Sequence, residues 1–154
     1  MLYTVRYAHL YEPPDLELGV EVHEDDLIGT MGTSGQSRHN HLHIDVVNGF
    51  QNKVYRLKEM GKGKRYTPNE KQLNYFNDEA LFQIEPVVTT EYMSEAYKEY
   101  FGKDHPALDI VPIDRHKSND HFKIYWNRTK IGIVLKKGYD KKGYGNYIMI
   151  GFEG

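Results

Sequence analysis

Both ends of the chain share one hydrophobic pattern. Short runs of β-branched and aromatic residues either alternate with polar residues or form brief apolar blocks, and turn-forming residues separate them. Such runs are typical of β-strands. They cover residues 2–8, 20–29, 41–47, 122–127, 129–137 and 144–152. The pattern therefore predicts a mostly β protein with six to eight strands.

The middle of the chain, residues 51–104, has a different pattern. Residues 58–72 are polar, charged and loop-like, whereas residues 91–101 favour a helix. Thr90 can cap the start of this helix and Gly102 can end it. The apolar positions that recur at helical spacing are Met93, Ala96, Tyr97 and Tyr100. The middle segment carries no obvious chemistry.

Length and charge narrow the classes of protein. With 154 residues, 39% of them hydrophobic, the chain can form one domain around one core. The net charge of −2 argues against a nucleic-acid-binding protein. No apolar run reaches the roughly 18–20 residues of a membrane span, and the first residues lack the pattern of a signal peptide. The absence of cysteine excludes disulfides, thiol catalysis and cysteine-based zinc sites.

Three polar side chains lie at alternate positions of the predicted strand 41–47. Successive side chains of a strand point to opposite faces, so His41, His43 and Asp45 share one face while the aliphatic residues between them face the core. Two imidazoles on one face of a strand can bind one metal ion. The same pattern also occurs as a pair of half-exposed strand histidines.

A second imidazole and carboxylate occur in HPALD, residues 105–109. His105 and Asp109 would share a face if the segment were helical. Pro106 favours an extended conformation at His105, so a loop leading into a strand is equally compatible with the sequence. Imidazole and carboxylate are both zinc ligands.

The remaining histidines lack patterned partners. His9 lies at the end of the first predicted strand, where a lone histidine is more often structural than catalytic. The others are expected to be solvated or to lie behind a site, namely His23, His39, His116 and His121.

Four motifs together resemble those of the lysostaphin-type zinc metallopeptidases, which are peptidoglycan endopeptidases. YAHL at residues 7–10 matches the family's Y-x-H-L strand end, and IGTMGTSG at 28–35 matches its IGxxGxTG loop. HLHID at 41–45 matches the closing HLHxE, and HPALD matches HxxxD. Within these motifs, Ser34 stands where Thr is usual and Asp45 where Glu is commoner.

The order of the motifs differs from that of the family, in which HxxxD comes first and HLH last. Placing residues 105–154 ahead of residues 1–50 restores the family order, so the chain resembles a circular permutant joined through residues 51–104. Residues 1–154 would then form a single catalytic domain. The strand ending near Phe152 should pair antiparallel with the strand beginning near Leu2, and the connector, with its 91–101 helix packed on the β core, should run around the outside.

The resemblance implies an antiparallel β-sheet core and one zinc ion bound by His105, Asp109 and His43. It makes His41 and His9 the catalytic pair. The residues alone do not separate His41 from His43, because both face the same cleft. The implied substrate is a stem or cross-bridge peptide of bacterial peptidoglycan, and the implied enzyme is secreted or virion-associated, as in phage lysins.

Several alternatives stay open. An inactive homologue could bind peptidoglycan or act as a scaffold, although such relatives usually lose ligands and none is lost here. A D,D-carboxypeptidase that pairs HxxxxxxD with ExxH would need an ExxH, which the chain lacks. A β-rich binding module with accidental histidines would purify without stoichiometric zinc.

The assembly state has two alternatives as well. Closure of the site within one chain carries little entropic penalty across so long a connector. We therefore favour a monomer over a strand-exchanged dimer in which one protomer supplies HPALD and the other HLH.

Overall fold

The computed structural model of the chain describes residues 1–50, 67–114 and 120–154. It is mostly β, as the hydrophobic pattern predicts. The elements in these described parts are β1 (Leu2–Leu10), β2 (Glu21–Val22), β3 (Leu27–Thr30), β4 (Leu42–Asn48), α1 (Glu70–Asn74), β5 (Pro86–Thr90), α2 (Glu95–Phe101), β6 (Leu108–Pro112), β7 (Lys123–Tyr125), β8 (Gly132–Asp140) and β9 (Gly145–Glu153).

Most of the strands form one antiparallel sheet. Its order in the described residues is β2-β8-β9-β1-β4-β6-β5, and β3 pairs with β7 in a separate two-stranded ribbon. The segment 20–29, predicted as a short strand and a turn, contributes β2 to the sheet and most of β3 to the ribbon. The sequence did not predict β5, which begins at Pro86 on the edge of the sheet, where the missing N–H of a proline is tolerated.

The first and last strands lie side by side at the centre of this sheet. β1 pairs antiparallel with β9 from Leu2 opposite Glu153 onwards. The N–H of Gly154 donates to the carbonyl of Met1 over 3.2 Å. The prediction that the two ends of the chain meet in an antiparallel pair is confirmed.

The core lies against one face of the sheet. Alternate residues of the central strands point into it, such as Val5 and Tyr7 on β1 and Leu42 and Ile44 on β4. The opposite face carries the polar side chains of the candidate site and some buried apolar residues, such as Val47 and Val111.

The sequence predicts that the connector runs around the outside of the β core. The structure contradicts this, because part of the connector enters the core. In its described part, residues 67–104, four side chains join the buried cluster: Leu73, Phe76, Leu81 and Phe82. Residues 51–66 lie outside the described residues. A hydrophobic effect of roughly 1.5–3 kcal/mol for each fully buried large side chain makes this segment part of the folding unit.

The helices differ from the prediction in position. α1 overlaps the end of the segment 58–72, which the sequence predicts to be loop-like, and Asn69 caps its first turn. α2 begins at Glu95 with Ser94 as its cap instead of Thr90, and ends at Gly102, whose φ of 72° is left-handed, as predicted.

α2 lies on the surface. It contains no buried residue, and Tyr100 and Phe101 are largely exposed. The prediction that this helix packs on the β core is therefore wrong. Only its Tyr97 ring makes a described contact toward the sheet, with the ring of His105. Neither helix of the described chain is long and apolar enough to cross a bilayer.

Candidate metal centre

The site is built on the polar face of β4 and β6. His43 and Asp109 are direct partners in the antiparallel register of these two strands. Both side chains therefore project from the same face, and the Nδ1 of His43 lies 3.1 Å from Oδ1 of Asp109. The predicted face for His43 and Asp45 is confirmed, since Leu42, Ile44 and their neighbours fill the core instead.

His105 reaches the same point from the loop that precedes β6. The segment is not helical: it enters the strand in an extended form, which the proline favours over a helix. The Nδ1 of His105 is 3.2 Å from the carbonyl oxygen of Glu91. Because a carbonyl can only accept, this contact places a proton on Nδ1 and makes Nε2 the nitrogen that can bind a metal ion.

The surroundings of the Nε2 atom of His105 are suited to a bound cation. It is buried and has no hydrogen-bond partner among the described residues, although Oδ1 of Asp109 is only 3.3 Å away. Because Nδ1 already donates, Nε2 can face this carboxylate oxygen favourably only with a second proton on the ring or with a metal ion between the two atoms. Buried polar atoms are otherwise almost always paired.

The three predicted ligands fit one metal ion. The ligand atoms of His43, His105 and Asp109 all lie within 4.8 Å of one another. Around a tetrahedral ion with ligand distances of about 2.0–2.2 Å, ligand atoms lie about 3.4 Å apart. The two contacts of Asp109 Oδ1, at 3.1 and 3.3 Å, are close to that spacing. The chain thus has a possible metal-binding triad.

The electrostatics of the cluster favour a positive charge at the same point. Burial alone would raise the pKa of Asp109, but its contacts with His105 and His43 hold it well below its usual range. Burial alone would lower the pKa of His43, but Asp109 and Asp45 raise it to about 9. The site therefore stabilises either a proton on His43 or a metal ion in its place.

His41 lies beside the triad. Its Nδ1 is 2.8 Å from its neighbour His39's carbonyl oxygen, so Nε2 is the free nitrogen, 3.7 Å from Oδ1 of Asp109. Burial lowers the pKa of His41. The imidazole is therefore neutral at pH 7, and its Nε2 is close enough to exchange a proton with a molecule bound at the triad.

A bulge turns His9 toward the same cleft. Strict alternation from Tyr7 would place the side chain of His9 on the core face, but the pairing of β1 with β9 shifts register between Tyr7 and Leu10. His9 has a φ of 59°, and its ring centroid lies 5.0 Å from that of His41. Left-handed backbone at a non-glycine residue and strand bulges both cluster at functional sites.

The glycine-rich loop holds His9 in place through Ser34. The carbonyl of Ser34 lies 2.8 Å from Nδ1 of His9, and its hydroxyl donates to the carbonyl of Leu10 over 2.5 Å. The same hydroxyl accepts from the backbone N–H of Asn146 over 3.0 Å. Burial lowers the pKa of His9 to about 4, against the opposing effect of the Ser34 carbonyl. Sequence reasoning recognised this loop but not the contacts of Ser34.

The other histidines lie outside the triad. His23 is exposed and contacts Glu21 over 3.3 Å, and His39 is exposed. His121 stacks on Tyr11 with ring centroids 3.5 Å apart. His116 lies outside the described residues.

Sequence reasoning missed three residues around the site. Tyr97 of α2 contacts the ring of His105 at 4.5 Å, and Tyr144 lies 5.8 Å from the ring of His43. Arg6 pairs with Asp45 over 2.8 Å. The alternation of β1 could have placed Arg6 on the polar face, but only the pairing of β1 with β4 brings it to Asp45.

No protein-family model matches the chain, and no curated protein or solved structure matches it significantly. The resemblance to the lysostaphin-type peptidases therefore rests on the four sequence motifs alone.

Proposed function

We propose that the chain is a zinc-dependent endopeptidase that hydrolyses a peptide bond of bacterial peptidoglycan. The observation that carries the proposal is the convergence of His43, His105 and Asp109 with His41 and His9 at one point of the sheet. Two imidazoles and one carboxylate are a donor set of catalytic zinc sites, which keep a further position for water or substrate. When bound, zinc activates water and polarises the scissile carbonyl.

The two remaining imidazoles supply proton transfer. Each has its Nδ1 on a backbone carbonyl, His41 on His39 and His9 on Ser34. In both, Nε2 is therefore the free nitrogen and can accept a proton. Their lowered pKa values keep both neutral at pH 7, which suits a general base. Once protonated, the same nitrogen can donate to the oxyanion or to the leaving amine.

The peptidoglycan substrate is supported by the resemblance of the four motifs to the lysostaphin-type family. Tyr97 and Tyr144, which flank the two ligand imidazoles, offer amphipathic walls for an extended peptide. We extend the proposal to an enzyme that acts at the bacterial cell wall, secreted or carried by a virion.

We further propose that the active unit is a monomer, because one chain supplies all five residues. Mixing His105→Ala with His43→Ala protein tests this point. Separate monomers stay without zinc after mixing. Recovery of zinc binding in the mixture would show a composite site in a strand-exchanged dimer.

Digestion of purified peptidoglycan tests the function. Protein loaded with Zn²⁺ is incubated with peptidoglycans of several species, and the new amino termini are identified by mass spectrometry. We expect new termini within the stem or cross-bridge peptides, and none with His41→Ala protein or after chelation.

Two outcomes would contradict the proposal. Binding to peptidoglycan with no new termini from any species would indicate the inactive homologue instead. If the protein binds no zinc after it is refolded in the presence of Zn²⁺, both the proposed metal centre and the proposed peptidase activity are contradicted.

A further inference from the structure

His43 is held between two carboxylates. Its Nδ1 faces Asp109, and its Nε2 lies 3.4 Å from Oδ2 of Asp45. Asp45 is two residues further along β4 and on the same face. Since an ionised carboxylate only accepts, the metal-free imidazolium can donate to both carboxylates. With an ion in the place of the Nδ1 proton, the contact with Asp45 keeps the remaining proton on Nε2 and Nδ1 is the nitrogen that faces the proposed ion.

Asp45 is in turn held by Arg6. The two residues are direct partners in the register of β1 and β4, and both Nε and Nη2 of Arg6 contact Oδ2 of Asp45, over 3.1 and 2.8 Å. Asp45 is only 6% exposed. One buried carboxylate oxygen thus receives donors from both Arg6 and His43.

Tyr144 confines Arg6 from the other side. The guanidinium carbon lies 3.9 Å from the centre of the Tyr144 ring, close enough for a cation–π contact. A movement of the guanidinium away from Asp45 would therefore also weaken its contact with the Tyr144 ring. Successive side-chain contacts therefore connect Tyr144 to Arg6, Arg6 to Asp45, and Asp45 to His43.

We propose that Arg6 and Asp45 are a positioning pair that sets the metal affinity of the site by orienting His43. The inference rests on the proposed metal centre and adds to it two residues that touch no ligand position themselves. Carboxylates behind a ligand histidine fix its ring orientation and its protonated nitrogen, and their loss typically costs about 10–100-fold in metal affinity.

The test is a double-substitution cycle read out as zinc affinity. Metal-free Asp45→Asn, Arg6→Met and the double variant are titrated with Zn²⁺ in competition with a chromophoric chelator. We expect Asp45→Asn to bind about 10–100-fold more weakly and Arg6→Met to weaken binding in the same direction. Because Arg6 acts through Asp45, the double variant should bind no more weakly than Asp45→Asn alone.

Two comparisons separate positioning from mere stability. Asp45→Glu keeps a carboxylate and should regain part of the affinity. Glu21→Gln breaks an exposed histidine–carboxylate contact on β2 and should leave zinc affinity unchanged. In the zinc-bound protein, NMR should show the Nε2–H proton of His43 with the downfield shift of a hydrogen bond to a carboxylate. This shift should be lost in Asp45→Asn.

The outcomes distinguish this inference from the metal centre itself. Unchanged zinc affinity in a folded Asp45→Asn protein, or additive losses in the double variant, would overturn the positioning pair. If Asp45→Asn does not fold, Arg6→Lys decides, since it keeps the charge but loses the two-nitrogen contact and should still weaken binding. Unchanged binding in His43→Ala would instead overturn the metal centre.

Discussion

Asp109 lies directly opposite His43 in the pairing of β4 with β6, and their side chains meet at 3.1 Å. The two proposed ligands are thus fixed by the register of a sheet instead of by a flexible loop. A slip of one residue in that register would carry the carboxylate to the core face. Loss of this carboxylate should therefore affect the metal centre directly.

We expect Asp109→Ala to abolish stoichiometric zinc binding. The Oδ1 atom of Asp109 is the common contact of three imidazoles, and no variant without a carboxylate can replace it. Metal analysis after dialysis against Zn²⁺ measures the effect. Asp104→Ala is the control, because that exposed carboxylate contacts only Lys98 among the ion pairs of the described chain. Full zinc occupancy in Asp109→Ala would contradict the ligand assignment.

His41→Ala and His9→Ala should separate catalysis from metal binding. Both variants should keep zinc and lose about 10²–10⁴-fold in turnover, as is typical of general acid–base groups. Initial rates on peptidoglycan fragments and zinc content are measured on the same samples. His23→Ala is the control and should retain full activity, because His23 is an exposed histidine that follows β2 and lies outside the triad. If His41→Ala loses zinc while His43→Ala retains it, the two roles are transposed.

The low pKa of His9 predicts a pH dependence of stability. Burial lowers this pKa from the ordinary 6.5 to about 4 in the folded chain. Between these values the unfolded chain binds a proton that the folded chain does not. This contribution to the free energy of unfolding is present above pH 6.5 and is lost as the pH falls toward 4.

Replacing His9 with glutamine should flatten that dependence. Urea unfolding of metal-free His9→Gln should show a smaller fall in stability between pH 6.5 and 4 than the natural chain shows. The other histidines of the site, with His41 shifted the same way and His43 the opposite way, are present in both proteins. Parallel curves for the two proteins would contradict the neutral, buried state of His9.

Gly35 permits the close approach that holds Ser34 against β9. Its φ is 72°, and a Cβ at this position would collide with the backbone of Gly145. Gly35→Ala should therefore lower stability by more than the ~1–2 kcal/mol of left-handed strain and should also reduce turnover, because Ser34 anchors His9. Gly19→Ala is the matched control: its φ is 82°, but a Cβ there meets no atom within 4 Å. Equal losses in both variants would show that the packing is unimportant.

The parts of the site that follow from local alternation could be predicted from the sequence. The polar face of β4 is one example, since each residue's direction depends only on its neighbours. The conformation at His105 stayed open, because i, i+4 spacing and the following proline favour different structures. The proline's preference agrees with the observed loop.

Features that depend on pairing between distant segments could not be predicted in this way. Arg6 meets Asp45 only because β1 lies beside β4, and His9 reaches the cleft only because of a bulge against β9. The burial of Leu73 and Phe76 likewise depends on tertiary contacts that override a polar local sequence. The site residues were predicted from the four motifs and not from local alternation, because a family's motifs name residues that meet only in the folded chain.

The meeting of Met1 and Gly154 predicts that the chain tolerates a new order of its halves. Because these ends already share a hydrogen bond, a short linker between them adds little loop-closure cost. The new ends can lie between Gly61 and Lys62, in a polar, glycine-containing part of the sequence. The resulting chain places HPALD before HLH, the order of the lysostaphin-type family.

This reordered chain should fold and bind one zinc ion, with a stability loss of less than about 1 kcal/mol, which corresponds to about 2–4 °C in Tm for a chain of this size. Calorimetry and metal analysis measure both effects. A second permutant, opened between Ile148 and Met149, is the negative control and should not fold, because the cut falls within β9 where it pairs with β1 and β8. The first permutant changes only the connection between segments and no contact within the sheet. Its failure to fold or to bind zinc would therefore contradict the hypothesis that the chain is a circular permutant of the family domain.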